Sequence, residues 1–285
     1  MKPKELWVKA AVKLANEIKP DVILLLTDNV EEYELLSREK LNAPLIVSTT
    51  SKNVSSSVKN SLTLIAHSPS LKSDVEHSLA LAMNKRRVKE GDIALCLSFD
   101  KGCFNLYLCQ ISKESLRDTI YEFIRKTKIK PKVFEAVLNI ALEIGREGRE
   151  GRLIGTAFLI GDSDKVLKNS RQMILNPFKG HRKKERMITN SEIKETIKEL
   201  AQLEGVFVLS GDGILRAAGR FLNVDTSSID IPHGLGTRHV VVAAMTSISN
   251  AVGITVSQSG GIVRIFHKGK IVFTIDPQRR TFLSS

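Results

Sequence analysis

Along the first 110 residues the apolar positions switch repeatedly between two periods. Residues 4–18 repeat with helical spacing, and DVILLLT (21–27) is then almost continuously apolar, as expected of a strand buried on both faces. A polar helical stretch, NVEEYELLSREK, precedes APLIVST (43–49), and a Ser-rich connection leads to SLTLIAHS (61–68). A helix over about 71–88 then meets GDIALCLSFDKGCFNLYLCQI (91–111), whose central FDKGCF predicts a hairpin turn between two strands. Strands alternating with helices predict right-handed crossovers and a parallel sheet.

The pattern changes after residue 112. KESLRDTIYEFIRKT (113–127) predicts an amphipathic helix, and KIKPK closes it with a proline that helices rarely continue through. VFEAVLNIALEIGREGREG then places apolar residues at 133, 134, 137, 138, 141, 142 and 144, one helical face. Strand-like runs follow at 152–162, 203–213, 253–260, 261–266 and 269–276, with helices near 190–202 and 237–251. The expected fold class is α/β throughout. Residues 1–112 read as a three-layer α/β domain on a parallel sheet, 113–130 as a linker helix, and 131–285 as an α/β domain with a mixed central sheet.

Composition narrows the setting. The 285 residues suit about two domains, and 42% apolar with 26% charged residues is the balance of a soluble globular chain. No uninterrupted apolar run of about 18 residues exists, and MKPKELWVKA lacks the apolar core of a signal peptide, so a cytoplasmic protein without a membrane span is expected. Cys96, Cys103 and Cys109 match no zinc spacing and read as small buried apolar residues. Of the net charge of +12, residues 128–285 carry +9, from 24 Lys+Arg against 15 Asp+Glu. Such an excess favours a polyanionic partner, nucleic acid or nucleotide phosphates. Few aromatic residues lie near the basic clusters, which makes nucleic acid the less expected of the two. HRKKER (181–186) reads as a solvated loop, with contact to phosphates or nucleic acid as the alternative.

HGLGTRH (233–239), directly ahead of the apolar run from Val240, carries the most chemistry. Gly234 and Gly236 allow the backbone to turn its N–H groups into one concavity, with Leu235 between them. Thr237 reads as the N-cap of the following helix, whose start adds partial positive charge. Arg238 offers a forked cation suited to phosphate oxygens, and His239 a group able to bind a metal or move a proton. On physical grounds alone this stretch is either a phosphate cradle or a plain helix start.

Two resemblances extend that reading. REKLNAPLIVSTTS and KEGDIALCLSF, in their order, resemble the C-terminal α/β domain of pyruvate kinases, over about 100 residues. LEGVFVLS, HGLGTRH and VSQSGG, together with REGREGRLIGTAFLIGD, ILNPFKG and AAGRFL, resemble the diadenylate cyclase family, in particular its archaeal branch. That family joins two ATP molecules into cyclic di-AMP with release of two pyrophosphates. The resemblance implies catalytic roles for Glu204, Arg238 and His239, and an ATP site formed by Gly205, Val206, Leu222, Gly234, Leu235, Gly236, Thr237, Arg238 and Ser257. It also implies Mn²⁺ or Mg²⁺ as cofactor, with Glu204, His239 and Asp212 as candidate ligands, and a homo-oligomer of face-to-face cyclase dimers. The chain departs from the family motifs at several positions: Glu204 stands for an aspartate, Val206 for an alanine, Val240 for a second arginine, and Gln258 and Ser259 for an acidic pair. Glu204 lies 34 residues before Arg238, close to the family spacing, whereas Asp212 lies 26 before it. The alternative reading is a nucleotide sensor or nucleic-acid-binding regulator in which these departures have abolished catalysis.

Overall fold

The structure, a computed structural model, describes residues 3–68, 70–100, 102–112, 119–232, 234–278 and 281–283. The chain divides into two compact units, Met1–Phe123 and Ile124–Ser285.

The first unit runs α1 (Pro3–Ile18), β1 (Val22–Leu26), α2 (Val30–Ser37), β2 (Leu45–Thr49), α3 (Lys52–Ser57), β3 (Ser61–Thr63), α4 (Leu71–Asn84), β4 (Ile93–Asp100) and β5 (Cys103–Gln110). Its sheet has the order β3-β2-β1-β4-β5, with β5 antiparallel to β4 and the other neighbours parallel. The order therefore reverses between β1 and β4. Trp7, Val8, Ala11 and Ala15, one helical stripe of α1, pack on Ile23 and Leu25 of β1, Val47 of β2, and Leu95 and Leu97 of β4. The alternate strand residues Leu24, Ile46 and Cys96 are also buried, and beside them the Ser48 hydroxyl meets Ser78 of α4 at 2.7 Å. Helices thus cover both faces, which is why VILLL is apolar at every position.

The cysteine expectation needs correction. Cys96 is buried in β4, but Cys103 is exposed and Cys109 partly exposed, because β5 lies at the sheet edge. The expected linker helix falls partly on residues 113–118, which lie outside the described residues; α5 (Ile120–Arg125) follows them.

The second unit continues with α6 (Pro131–Glu147), β6 (Thr156–Ile160), α7 (Ser163–Lys168), β7 (Ser170–Gln172), α8 (Ile193–Leu200), β8 (Val206–Leu209), β9 (Leu215–Leu222), α9 (Thr237–Ile248), β10 (Val252–Val256), β11 (Val263–His267), β12 (Lys270–Asp276) and β13 (Thr281–Leu283). These strands form one sheet in the order β13-β12-β11-β10-β6-β8-β9-β7. β6 and β8 pair in parallel through Phe158↔Phe207, Leu159↔Val208 and Ile160↔Leu209, while the other described pairings are antiparallel. The mixed sheet predicted from the sequence is present.

α9 lies on the face formed by Ala157, Leu159, Val206, Val208 and Phe266. It comes so close to β10 that a side chain on Gly253 would overlap Val242. Phe158, Ile160, Phe207 and Ile254 are buried on the opposite face, toward α6. There Gly145 of α6 crosses Gly261 backbone to backbone. A Cβ on either would overlap the other's carbonyl oxygen, and Gly261 also has φ +68°.

Candidate active site

The HGLGTRH segment places Gly236, not Thr237, at the N-cap of α9; Thr237 is the first helical residue and makes no side-chain cap. Gly236 has φ −67° and ψ 164°, an extended geometry open to any residue. Gly234, at φ +85°, is where the loop needs glycine. Leu235 is partly buried, Thr237 is exposed, and His233 lies outside the described residues. The free amides of the first turn, with the helix dipole, make this end of α9 favourable to anions.

Arg238 is the hub of the site. Its guanidinium donates from Nη1 to the Gly155 carbonyl at 2.7 Å, and from Nη2 to the Leu203 carbonyl at 3.4 Å and to Glu204 Oε2 at 2.9 Å. The arginine side chain is 25% exposed, while its carboxylate partner is 80% exposed and open to a ligand. Gly155 also lies against Gln258: a Cβ there would stand 3.2 Å from the Gln258 Cβ and 3.3 Å from Arg238 Nη1. The segments before β6, before β8 and after β10 therefore converge on the start of α9. Ser257, partly buried in the third segment, faces Ser259 hydroxyl to hydroxyl at 3.1 Å.

Gly205 follows Glu204 with φ +95°, and a Cβ there would stand 2.7 Å from the Arg220 backbone nitrogen and oxygen. Glycine at this position lets the chain bend from the exposed carboxylate into β8. Val206 and Leu222 lie within the core beneath α9 at 2% and 4% exposure, so their side chains support the site from below.

The remaining sequence-predicted residues are placed elsewhere. His239 points into the interior, edge-on to Phe266, and neither ring nitrogen has a hydrogen-bond partner. Burial, and then the Arg264 charge, push its pKa down to about 4, opposed weakly by the Gly236 carbonyl, so the ring is neutral near pH 7. Asp212 follows β8, at the opposite end of that strand from Glu204, where its carboxylate accepts from the Ser210 hydroxyl. That bond holds its carboxyl below the usual range. Among the described residues no group of three His, Cys, Asp or Glu side chains could hold a metal.

Sequence reasoning missed the carbonyls of Gly155 and Leu203, which leave no side-chain signature, and Arg264, whose proximity to His239 depends on the β10–β11 register. The basic 181–186 loop is mostly exposed, with Arg186 donating to the carbonyls of His181 and Leu215.

A helix start, a shielded arginine and an open carboxylate are thus brought together at one end of a mixed sheet in an α/β protein. The family described as DisA bacterial checkpoint controller nucleotide-binding matches residues 143–271, which contain all these groups. The chain is 34% identical over 303 aligned positions to a diadenylate cyclase of Methanocaldococcus jannaschii, covering 95% of this chain and 96% of that protein. It is 30% identical over 273 positions to a diadenylate cyclase of Haloferax volcanii, covering 94% and 98%. The chain belongs to the diadenylate cyclase family. A pyruvate kinase of Cryptosporidium parvum in complex with ADP matches 39% of this chain and 24% of its own at 19% identity, with a TM-score of 0.35, a likeness too slight to carry an argument. No described helix is long and apolar enough to cross a membrane.

Proposed function

We propose that the protein condenses two ATP molecules into cyclic di-AMP and two pyrophosphates. The observation that carries this reading is the bridge from Arg238 to Glu204 and Gly155 at the start of α9, which sets a phosphate-binding cation beside an open carboxylate. In each half-reaction the 3′-oxygen of one ATP forms a bond to the α-phosphorus of the other. The α–β phosphoanhydride bond breaks, pyrophosphate leaves, and the hydroxyl proton must be accepted. In such transfers positioning and charge neutralisation do most of the work.

Glu204 orients the attacking hydroxyl and takes up its proton. Arg238, with the first-turn amides of α9, holds the phosphates, and Thr237 and Ser257 offer hydroxyls at the rim. His239, neutral and enclosed, keeps the first turn of α9 seated on Phe266 instead of moving a proton. Glu204 fits Mn²⁺ or Mg²⁺, ions that use one or two carboxylates together with substrate phosphates. When bound, the ion neutralises phosphate charge. Asp212, beyond the far end of β8, and the enclosed His239 are not part of this metal site.

Two nucleotides must face each other, so the working unit is at least a dimer of second units about a two-fold axis. Residues 131–285 then act as the cyclase domain and 1–112 as a three-layer pyruvate-kinase-like domain of a cytoplasmic protein.

The test is purified protein with ATP and Mn²⁺ or Mg²⁺, read by mass spectrometry of the products. Cyclic di-AMP from the wild type, and at least about 100-fold less from a folded Arg238→Ala variant, is the expected result. ATP binding without product under either metal refutes the proposal.

A further inference from the structure

The first unit contains a cavity of about 570 Å³, a volume suited to a metabolite-sized ligand. Leu26, Thr27 and Asp28 at the end of β1 and Ser98 and Phe99 near the end of β4 line it, with Glu32 of α2, His67 after β3, and Asp74 of α4. Leu26 and Ser98 are register partners on β1 and β4, the pair of strands between which the sheet order reverses. Open α/β sheets bind ligands at this place, outside the carboxyl ends of the strands where connections diverge to either side.

The lining is more than an acidic cluster. His67 is clamped between two carboxylates, Nε2 to Asp28 Oδ2 at 3.0 Å and Nδ1 to Asp74 Oδ2 at 2.9 Å. Asp28 also accepts from the Thr49 and Thr50 hydroxyls at 2.6 Å each and from the Thr50 amide at 2.7 Å. These bonds fix the wall without filling the space. Glu32, buried to 5% exposure, accepts from the Thr27 hydroxyl at 2.6 Å and lies 3.6 Å from Lys4. Ser98 is 7% exposed and its residue lines the cavity beside Phe99, near the end of β4. Three carboxylates against the His67 ring leave the lining net negative even with that ring charged, which disfavours phosphates and favours a cation. Leu26, Leu71 and Phe99 supply an apolar side to the same space.

From this arrangement we infer that the cavity at the β1–β4 switch is a binding site for a small organic ammonium ion, with Glu32 and Asp28 facing its charge and Ser98 completing its hydrogen bonds. The site lies within the first unit and does not depend on the cyclase reading.

Isothermal titration of the full chain tests it, with spermidine and agmatine as organic cations and inorganic phosphate and Mg²⁺ as contrasts. At least one amine should bind saturably near one per chain. Glu32→Gln, which keeps the native shape, and Ser98→Ala, which removes only the hydroxyl, should each weaken that binding about tenfold or more. Their thermal unfolding should stay close to that of the wild type, so loss of binding is not loss of fold. The inference is overturned if neither amine binds up to about 10 mM, an affinity weaker than about 3 kcal/mol. It is equally overturned if phosphate or Mg²⁺ alone binds, or if amine binding is indifferent to both variants.

Discussion

At the scale of single residues, the site turns on one guanidinium and one carboxylate. Arg238→Ala removes donors to Gly155, Leu203 and Glu204 together, and the loss of such a preorganised cation should lower kcat by about 10²–10³-fold. Arg238→Lys should recover little, because a point ammonium cannot bridge two carbonyls and a carboxylate in the same plane. Glu204→Gln should lower kcat by about 10²-fold or more, with KM for ATP changed much less, if this carboxylate accepts the proton; steady-state kinetics separates the two effects. In the first unit the His67 imidazolium carries a separate pH signature. Its bonds to Asp28 and Asp74 raise its pKa to about 10, so its contribution is whole below about 6.5 and disappears as pH rises through 10. Burial opposes the Asp28 charge, but bonds from His67, Thr49 and Thr50 outweigh it and hold that carboxyl well below its ordinary 3.8, so its contribution is lost on acidification below about 4. Calorimetry should find this unit most stable between about pH 4 and 6.5 and weaker by pH 10, and His67→Gln should flatten the alkaline decline. Arg238 drew attention in the sequence as a fork of donors ahead of a helix, whereas Glu204 entered only through the family resemblance; the structure brings the two side chains together at 2.9 Å. The sequence did not reveal that His239 turns inward, since its ring direction follows from the packing of α9 on Phe266.

At the scale of elements, close backbone crossings decide what can change. Helix-interior glycines usually gain about 1 kcal/mol on replacement by alanine. Gly145→Ala should reverse that sign, because the methyl meets the Gly261 carbonyl of the segment that also carries Ser257. Gly205→Ala should cost at least about 2 kcal/mol, as strain at φ +95° adds to overlap with Arg220. Gly236→Ala, in extended backbone with nothing within 4 Å of its Cβ position, should cost less than about 1 kcal/mol. Urea unfolding of the three variants checks the order. Most long elements were visible in the apolar pattern, since VILLL and VFVL are buried at every position and α6 shows a helical stripe. The misses have local causes. α3, KNVSSS, looked like a connection because serine is a poor helix former, yet Ser51 caps it and Val54 anchors it. β9 was not predicted as a strand because RAAGR lacks β-branched residues; its place comes from pairing with β8 and β7.

At the scale of the whole molecule, charge is divided almost entirely along the line between the two units. Residues 1–123 hold 17 Lys+Arg against 16 Asp+Glu, and residues 124–285 hold 26 against 15. The second unit therefore carries nearly all of the net positive charge, which favours polyanionic ligands, and the first is close to neutral. Because one cyclic product needs two facing nucleotides, specific activity should rise with protein concentration and level off as sedimentation shows the dimer complete. One structural feature has a mechanical side. β6 and β8 meet in parallel, so no hairpin joins their leading ends, and that seam separates a five-strand half of the sheet from a three-strand half. Arg238, bonded to Gly155 ahead of β6 and to Leu203 and Glu204 ahead of β8, is a clasp across the seam. Removing the clasp in Arg238→Ala should therefore speed amide exchange at the leading ends of β6 and β8, read by mass spectrometry, and leave the paired middle of the two strands protected.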